Sequence, residues 1–91
     1  MSDETKQLAN ESNRGAAAQA LLDNELFQEG FKAIDRSIWT QLTAANVHDT
    51  ETITALLMLQ KANQKLYKHF ESIAYTGRMA DEVLARKRRK Q

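Results

Sequence analysis

The sequence predicts an all-α protein, built as an antiparallel helical hairpin with short flanking helices. Two features of composition favour helix throughout: proline is absent and glycine occurs three times, while the strongest helix formers, such as alanine, leucine, glutamine and lysine, are abundant. In addition, apolar residues recur at three- and four-residue spacing in two long segments, which is the pattern of amphipathic helices. A chain of 91 residues forms at most one small domain.

The first 24 residues divide into a polar arm and a short helix. Residues 1–14 contain no apolar period, so they are predicted to form a mobile polar arm or one that is only weakly helical. Gly15 separates this arm from an alanine-rich segment, residues 16–22, that is too short to be stable alone and must pack against a neighbour. Asp23 and Asn24 follow, and either side chain can accept a hydrogen bond as the N-cap of the next helix.

Two long helices are predicted to form the hairpin. The apolar stripe of the first consists of Phe27, Phe31, Ile34, Ile38, Leu42 and Ala45. Residues 45–48 interrupt the pattern, and Asp49 or Thr50 then caps the second helix. The stripe of the second consists of Leu56, Leu59, Ala62, Leu66, Phe70 and Ile73. A connection of about four residues makes the two helices antiparallel neighbours, and Gly77 is predicted to end the second one.

The distribution of charge is uneven along the chain. Residues 1–60 hold four Lys/Arg and nine Asp/Glu, whereas residues 61–91 hold nine Lys/Arg and three Asp/Glu, so a −5 segment precedes a +6 segment. The last six residues form a basic tail, 86–91, after a helical domain that spans 15–85. Such an arrangement predicts that the C-terminal end contacts an anion or an acidic surface.

Some large apolar side chains lie outside the two stripes. Trp39, Leu57, Met58 and Tyr67 all lie off them on a helical projection. A surplus of this kind usually marks an interface with a partner. We therefore expect a homo-oligomer, or a fixed place in a larger assembly, with these four residues at the contact.

Several functional classes are disfavoured. Without cysteine there is no disulfide, thiolate metal site or cysteine nucleophile. His48 and His69 have no third or fourth ligand at metal spacing and are expected to be surface residues. The chain is too small to build a cleft around paired carboxylates, so we expect no enzyme, cofactor, metal or small-molecule substrate. The polar start and the lack of a long apolar run predict neither a signal peptide nor a membrane span, and they favour a cytoplasm-like location.

Two groups of basic residues remain as candidate contacts. Three lysines of the second helix share one narrow face, which is either the solvent-exposed side of an amphipathic helix or a contact surface. The terminal run of five cations indicates contact with phosphate or with an acidic protein, or else serves only as a solubilising tail. The candidates for contact with nucleic acid or an acidic partner are Lys61, Lys65, Lys68, Arg86, Lys87, Arg88, Arg89 and Lys90.

Two stretches resemble known proteins. Residues 20–27 (ALLDNELF), followed by Phe31 and Trp39, and residues 68–80 (KHFESIAYTGRMA) are similar to small helical proteins of tailed bacteriophages that are encoded among head-assembly genes. The resemblance covers residues 16–80. In that group a proline is expected after the asparagine, where Glu25 stands here. The resemblance implies a phage origin and a non-enzymatic role near capsid assembly.

The leading hypothesis is therefore a non-enzymatic structural or assembly protein of a phage particle. It would act through helix-mediated self-association, and its basic tail would dock on an acidic partner or on packaged DNA. One alternative is a nucleic-acid-binding module, such as a small-terminase-like subunit or a helical regulator. The other is a phage inhibitor that binds a host protein.

Overall fold

The computed structural model describes residues 2–89, and this part of the chain is all-helical, as predicted. It contains α1 (Asp3–Leu22), α2 (Glu25–Ala44) and α3 (Thr50–Arg89). The third helix, α3, contains 40 residues. This long helix takes the place of the second hairpin helix and the short C-terminal helix that the sequence predicts.

Side-chain caps define where the helices begin. Asn24 Oδ1 accepts a hydrogen bond from the Phe27 backbone N–H at 2.9 Å, and Asp49 Oδ1 accepts one from the Thr52 N–H at 3.2 Å. Both caps satisfy N–H groups that the first helical turn leaves without a carbonyl partner. The predicted N-caps of the two long helices are confirmed.

The connection between α2 and α3 is held by its own asparagine. Asn46 Oδ1 accepts from the His48 N–H at 2.8 Å, and the Asn46 carbonyl accepts from the Asp49 N–H at 2.9 Å. Asparagine favours such turns because its side chain mimics a backbone acceptor. The predicted interruption at residues 45–48 is therefore confirmed.

The polar arm, predicted to be mobile or only weakly helical, forms the first part of α1, which begins at Asp3. Ser2 Oγ caps this helix by accepting from the Thr5 N–H at 3.2 Å, and Asp3 and Glu4 occupy its first turn, where carboxylates suit the positive end of the helix dipole. The arm lacks an apolar period because its contact side is made largely of small and polar residues. Met1 lies outside the described residues.

The prediction that Gly77 ends the second helix is wrong. Gly77 lies within α3, and no described glycine has positive φ, so it does not serve as a left-handed cap. Its role is close packing: a Cβ placed on Gly77 would lie 2.6 Å from the Gly15 Cα. Glycine permits this approach of two helix backbones because it has no side chain.

Contacts divide the chain into two units that share α3. The first contains α1 and the part of α3 from His69 onward. Gly15 faces Gly77 here, Ser12 Oγ donates to Asp81 Oδ1, and Arg78 Nη1 donates to Gln19 Oε1 at 3.0 Å. The apolar residues buried in this unit are small ones: Ala18, Ala74 and Ala80. In the first unit, small residues therefore let the backbones of α1 and α3 approach closely.

The second unit, Asn24–Lys68, contains α2 and the first part of α3. Tyr67 stands 4.6 Å from Phe31 between ring centroids and accepts a hydrogen bond from Gln28 Nε2 at 2.9 Å. Farther along, Gln60 Nε2 donates to Asp35 Oδ1. Gln28 pairs with Tyr67, whereas Asp35, which comes later in α2, pairs with Gln60, which comes earlier in α3. These two segments therefore run in opposite directions.

Apart from Phe27, the buried and half-buried residues of the second unit follow a 3–4 spacing, and we call this row the seam. Its members are Gln28, Phe31, Asp35, Ile38 and Leu42 of α2, Ala45 directly after that helix, and Ile53, Leu56, Gln60, Asn63 and Tyr67 of α3. This spacing is the heptad pattern of two helices in lengthwise contact. The predicted stripes overlap it only partly, because Ile34, Leu59 and Leu66 are exposed.

Candidate interaction surface

One side of the second unit is apolar and exposed. Ile34 immediately precedes the seam residue Asp35, and Leu59 and Leu66 immediately precede Gln60 and Tyr67, so the three side chains emerge on one side of the seam. Together with Leu26 they are between 54% and 76% exposed. We call the surface formed by Leu26, Gly30, Ile34, Leu59, Ala62 and Leu66 the open face.

The open face contains two adjoining hollows, both lined entirely by uncharged residues. Ile34, Asn63 and Leu66 line both of them. The remaining lining residues are Leu26, Phe27, Gly30, Phe31, Ser37, Ile38, Gln41, Leu59, Ala62 and Tyr67. Since an exposed helix face is normally rich in charge, an uncharged one of this extent is unusual for a surface that meets only water.

Gly30 forms a notch in this face. It lies in the interior of α2 and lines one hollow, and a Cβ built on it would meet no atom within 4 Å. Glycine in a helix interior costs about 1 kcal/mol relative to alanine, and packing within the chain does not explain that cost. Gly30 therefore differs from Gly15 and Gly77, whose missing side chains are required by a facing helix.

Two amide atoms are buried beneath the face without a hydrogen-bond partner among the described residues. They are Gln60 Oε1 and Asn63 Nδ2. Gln60 is 5% exposed and uses its Nε2 on Asp35, whereas Asn63 lines both hollows. Polar groups at seam positions fix the register of paired helices at a cost in stability, and here they also place an amide donor beside the open face.

The opposite side of the seam carries most of the predicted interface. Trp39 follows the seam residue Ile38 and Leu57 follows Leu56, so both emerge on the side away from Ile34. Trp39, Leu57 and the adjacent Met58 are between 45% and 66% exposed. These three predicted contact residues are accessible to a partner.

Tyr67 does not belong to this group. Its ring packs against Phe31, and its hydroxyl accepts from Gln28, so it is a seam residue of the second unit. The sequence misplaces it because the apolar stripe drawn through Leu59 and Leu66 is centred one position away from the seam.

The basic candidates fall into two classes. Lys61, Lys65 and Lys68 are all exposed on α3. In the last turn of α3, Arg86 Nη2 lies 3.7 Å from Glu82 Oε2, and Lys87 Nζ lies 3.3 Å from Glu4 Oε1. Arg88 and Arg89 are exposed, whereas Lys90 lies outside the described residues.

The histidines are not brought together with other ligating groups. His48 and His69 are exposed, and no group of three or more His, Cys, Asp or Glu side chains in residues 2–89 is arranged to hold a metal ion.

The cap of α3 affects the ionisation of Asp49. The hydrogen bonds that its carboxylate accepts from the Thr52 side chain and backbone N–H lower its pKa. This effect belongs to the cap of α3 and not to a reactive site.

The open face was missed from the sequence, although a signal for it was present. The polar residues Gln28, Asp35, Gln60 and Asn63 occupy seam positions at heptad spacing, and an apolar projection discards such residues. Once they are included, Ile34, Leu59 and Leu66 stand beside the seam rather than in it.

Comparisons with protein families, with curated proteins and with solved structures find no match to this chain. None of the helices within residues 2–89 combines the length and apolar character that crossing a bilayer requires.

Proposed function

We propose that this chain is a non-enzymatic structural or assembly protein that acts through helix-mediated self-association. The observation that carries the proposal is the imbalance between exposed and buried apolar side chains. Among the described residues ten large apolar side chains are exposed, eight of them between residues 24 and 68, whereas only Ile38 and Leu56 are large and buried. A single copy leaves these ten large apolar side chains exposed to water, which favours their burial against a partner.

The setting we propose is the head of a tailed bacteriophage, or the host cytoplasm in which it is assembled. The support is the resemblance of residues 20–27 and 68–80 to small helical proteins encoded among head-assembly genes. Glu25, in place of the proline of that group, is compatible with the same helix start because a carboxylate suits the first turn.

The basic end of α3 is proposed to dock on an acidic partner or on packaged DNA. Arg88 and Arg89 are exposed, while Arg86 and Lys87 have acidic neighbours. We therefore expect Arg88→Gln/Arg89→Gln to weaken association with DNA or an acidic protein more than the matched pair Lys61→Gln/Lys65→Gln. Equal effects of the two pairs would contradict a special role for the end of α3.

The experiment that tests self-association is the solution mass by light scattering after size exclusion, at two protein concentrations and two salt concentrations. A defined oligomer that persists at high salt is expected, because burial of apolar surface is not screened by ions. A monomer under all conditions would refute self-association. It would instead make the exposed apolar surface a site for a foreign protein, as in an inhibitor of a host protein.

A nucleic-acid-binding module is the second candidate, favoured by the exposed cations on α3. If all eight predicted cations contact phosphate, the logarithm of the binding constant should fall with the logarithm of salt concentration with a slope of roughly −7, since each contact contributes about −0.9. A flat salt dependence would exclude this candidate.

A further inference from the structure

We propose that the open face is a self-interface, on which the open face of a second copy docks around a two-fold axis. Helix α2 and the first part of α3 from each copy would then form a four-helix contact. The inference rests on the proposed self-association and specifies which surface performs it.

The charge of the open face favours a second copy as its occupant. In a two-fold dimer the same patch is present on both sides, so any charge near the axis meets a like charge at close range. The residues that line the two hollows include no Asp, Glu, Lys or Arg. The face can therefore meet itself without repulsion, while a strongly charged partner would lose solvation there without gaining an ion pair.

The notch at Gly30 supports close approach by another helix. Nothing inside the chain occupies the space of its missing side chain, although the hollow around it is walled by large residues, including Leu26, Ile34 and Leu66. A side chain from a second copy can enter this notch as a knob enters a hole between helices. This contact would offset the low helix propensity of glycine at this position.

The size of the face predicts a dimer of moderate affinity. The segment of α2 from Leu26 to Gln41 extends over about 22 Å, and two helices side by side are roughly 20 Å wide, which gives about 440 Å² per copy in projection. Standard interfaces bury about 800 Å² of accessible surface per partner, and smaller ones are typical of transient contacts. We expect a dimer that dissociates on dilution.

The test compares single substitutions on and off the face by sedimentation equilibrium, with circular dichroism as a check on folding. Leu59→Glu and Leu59→Lys each place a charge on the open face, whereas Gln64→Glu and Gln64→Lys place the same charges on an exposed residue of α3 that lines neither hollow. Both positions are exposed in the single copy, so the helices should remain formed. The dissociation constant should rise at least tenfold for both Leu59 variants and less than twofold for both Gln64 variants.

Mixing the two Leu59 variants then tests the two-fold arrangement. If the two-fold axis passes close to Leu59, the carboxylate introduced in one copy lies near the ammonium group introduced in the other, and the mixture should recover a heterodimer that neither variant forms alone. Failure of the mixture to recover, with both variants weakened, would overturn a two-fold axis at Leu59. Unchanged association of the Leu59 variants would overturn the proposed face while leaving self-association intact.

A wild-type chain that stays monomeric at every concentration would overturn the proposed self-association itself, and the face with it. This result is distinguishable from loss of the face alone, because there the wild type remains an oligomer. As an additional readout, Gly30→Ala should weaken the dimer although it removes an unfavourable residue from α2. A dimer strengthened by Gly30→Ala would contradict the knob-in-notch contact.

Discussion

Alanine substitutions at two helical glycines should have opposite effects on stability. Gly15 and Gly30 both lie in helix interiors, where alanine is favoured over glycine by about 1 kcal/mol. A Cβ on Gly15 would lie 2.5 Å from the Gly77 Cα and 3.1 Å from its backbone nitrogen, whereas a Cβ on Gly30 would meet nothing within 4 Å. Comparing Gly15→Ala with Gly30→Ala therefore separates the contribution of helix propensity to stability from that of helix packing.

The expected changes in the free energy of unfolding follow from these distances. Non-bonded carbon atoms prefer about 3.5–4.0 Å, so in Gly15→Ala the backbones of α1 and α3 must separate by roughly 1 Å. The atoms in the way are backbone atoms that cannot rotate aside, which places the overpacking cost near the upper end of the usual range, about 3 kcal/mol. After the gain in helix propensity, we expect a net loss of about 2 kcal/mol. Gly30→Ala should gain up to about 1 kcal/mol.

Thermal unfolding by circular dichroism at the lowest usable protein concentration measures both effects, because dilution removes the contribution of any dimer. For a chain of this size each kcal/mol shifts Tm by roughly 4–8 °C, so Gly15→Ala should lower Tm by roughly 8–16 °C and Gly30→Ala should raise it by up to roughly 8 °C. Gly77→Ala serves as the reciprocal control and should behave like Gly15→Ala. If Gly15→Ala instead stabilises the chain as much as Gly30→Ala does, close packing of α1 on α3 is refuted.

Three further predictions concern capping and the seam. Asn24→Ala should lower the free energy of unfolding by about 1 kcal/mol, because the Phe27 N–H loses its acceptor; chemical denaturation measures it, and an unchanged midpoint would contradict the cap. The pKa of Asp49, lowered from 3.8 by its hydrogen bonds to Thr52, should lie below that of an ordinary aspartate in an NMR titration, and a value at or above 3.8 would contradict the cap. Since the folded-state pKa is depressed, its stabilising effect is fully present above the ordinary pKa and disappears as the pH falls through the folded-state pKa. Tyr67→Phe should cost about 1 kcal/mol, because Gln28 loses its acceptor, and no loss of stability would show that this hydrogen bond makes no net contribution.

Local features of the fold were predictable because they depend on a few neighbouring residues. Asn24 and Asp49 cap helices as their side chains suggest, and Asn46 closes the turn before α3. Gly77 was not predictable in the same way. Glycine serves equally well to end a helix or to admit another backbone, and only the presence of Gly15 opposite distinguishes the two.

The interaction surface was only partly predictable, for a related reason. Trp39, Leu57 and Met58 stand out because they lie far from any apolar stripe, and they are exposed. Leu59 and Leu66 look like core residues, because the true seam beside them contains Gln60 and Asn63. A pattern of apolar residues cannot reveal a seam that is partly polar.

The sharing of α3 by both units has a consequence for the order of folding. Contacts of the second unit join residues 25 and 39 positions apart, whereas those of the first join residues 59 and 69 positions apart. Closing a loop costs about 0.6 kcal/mol more for each doubling of its length, and local contacts form faster. We therefore expect the second unit to form first. Helix α1, although it precedes α2 and α3 in the sequence, must then wait for the part of α3 from His69 onward before Gly15 meets Gly77.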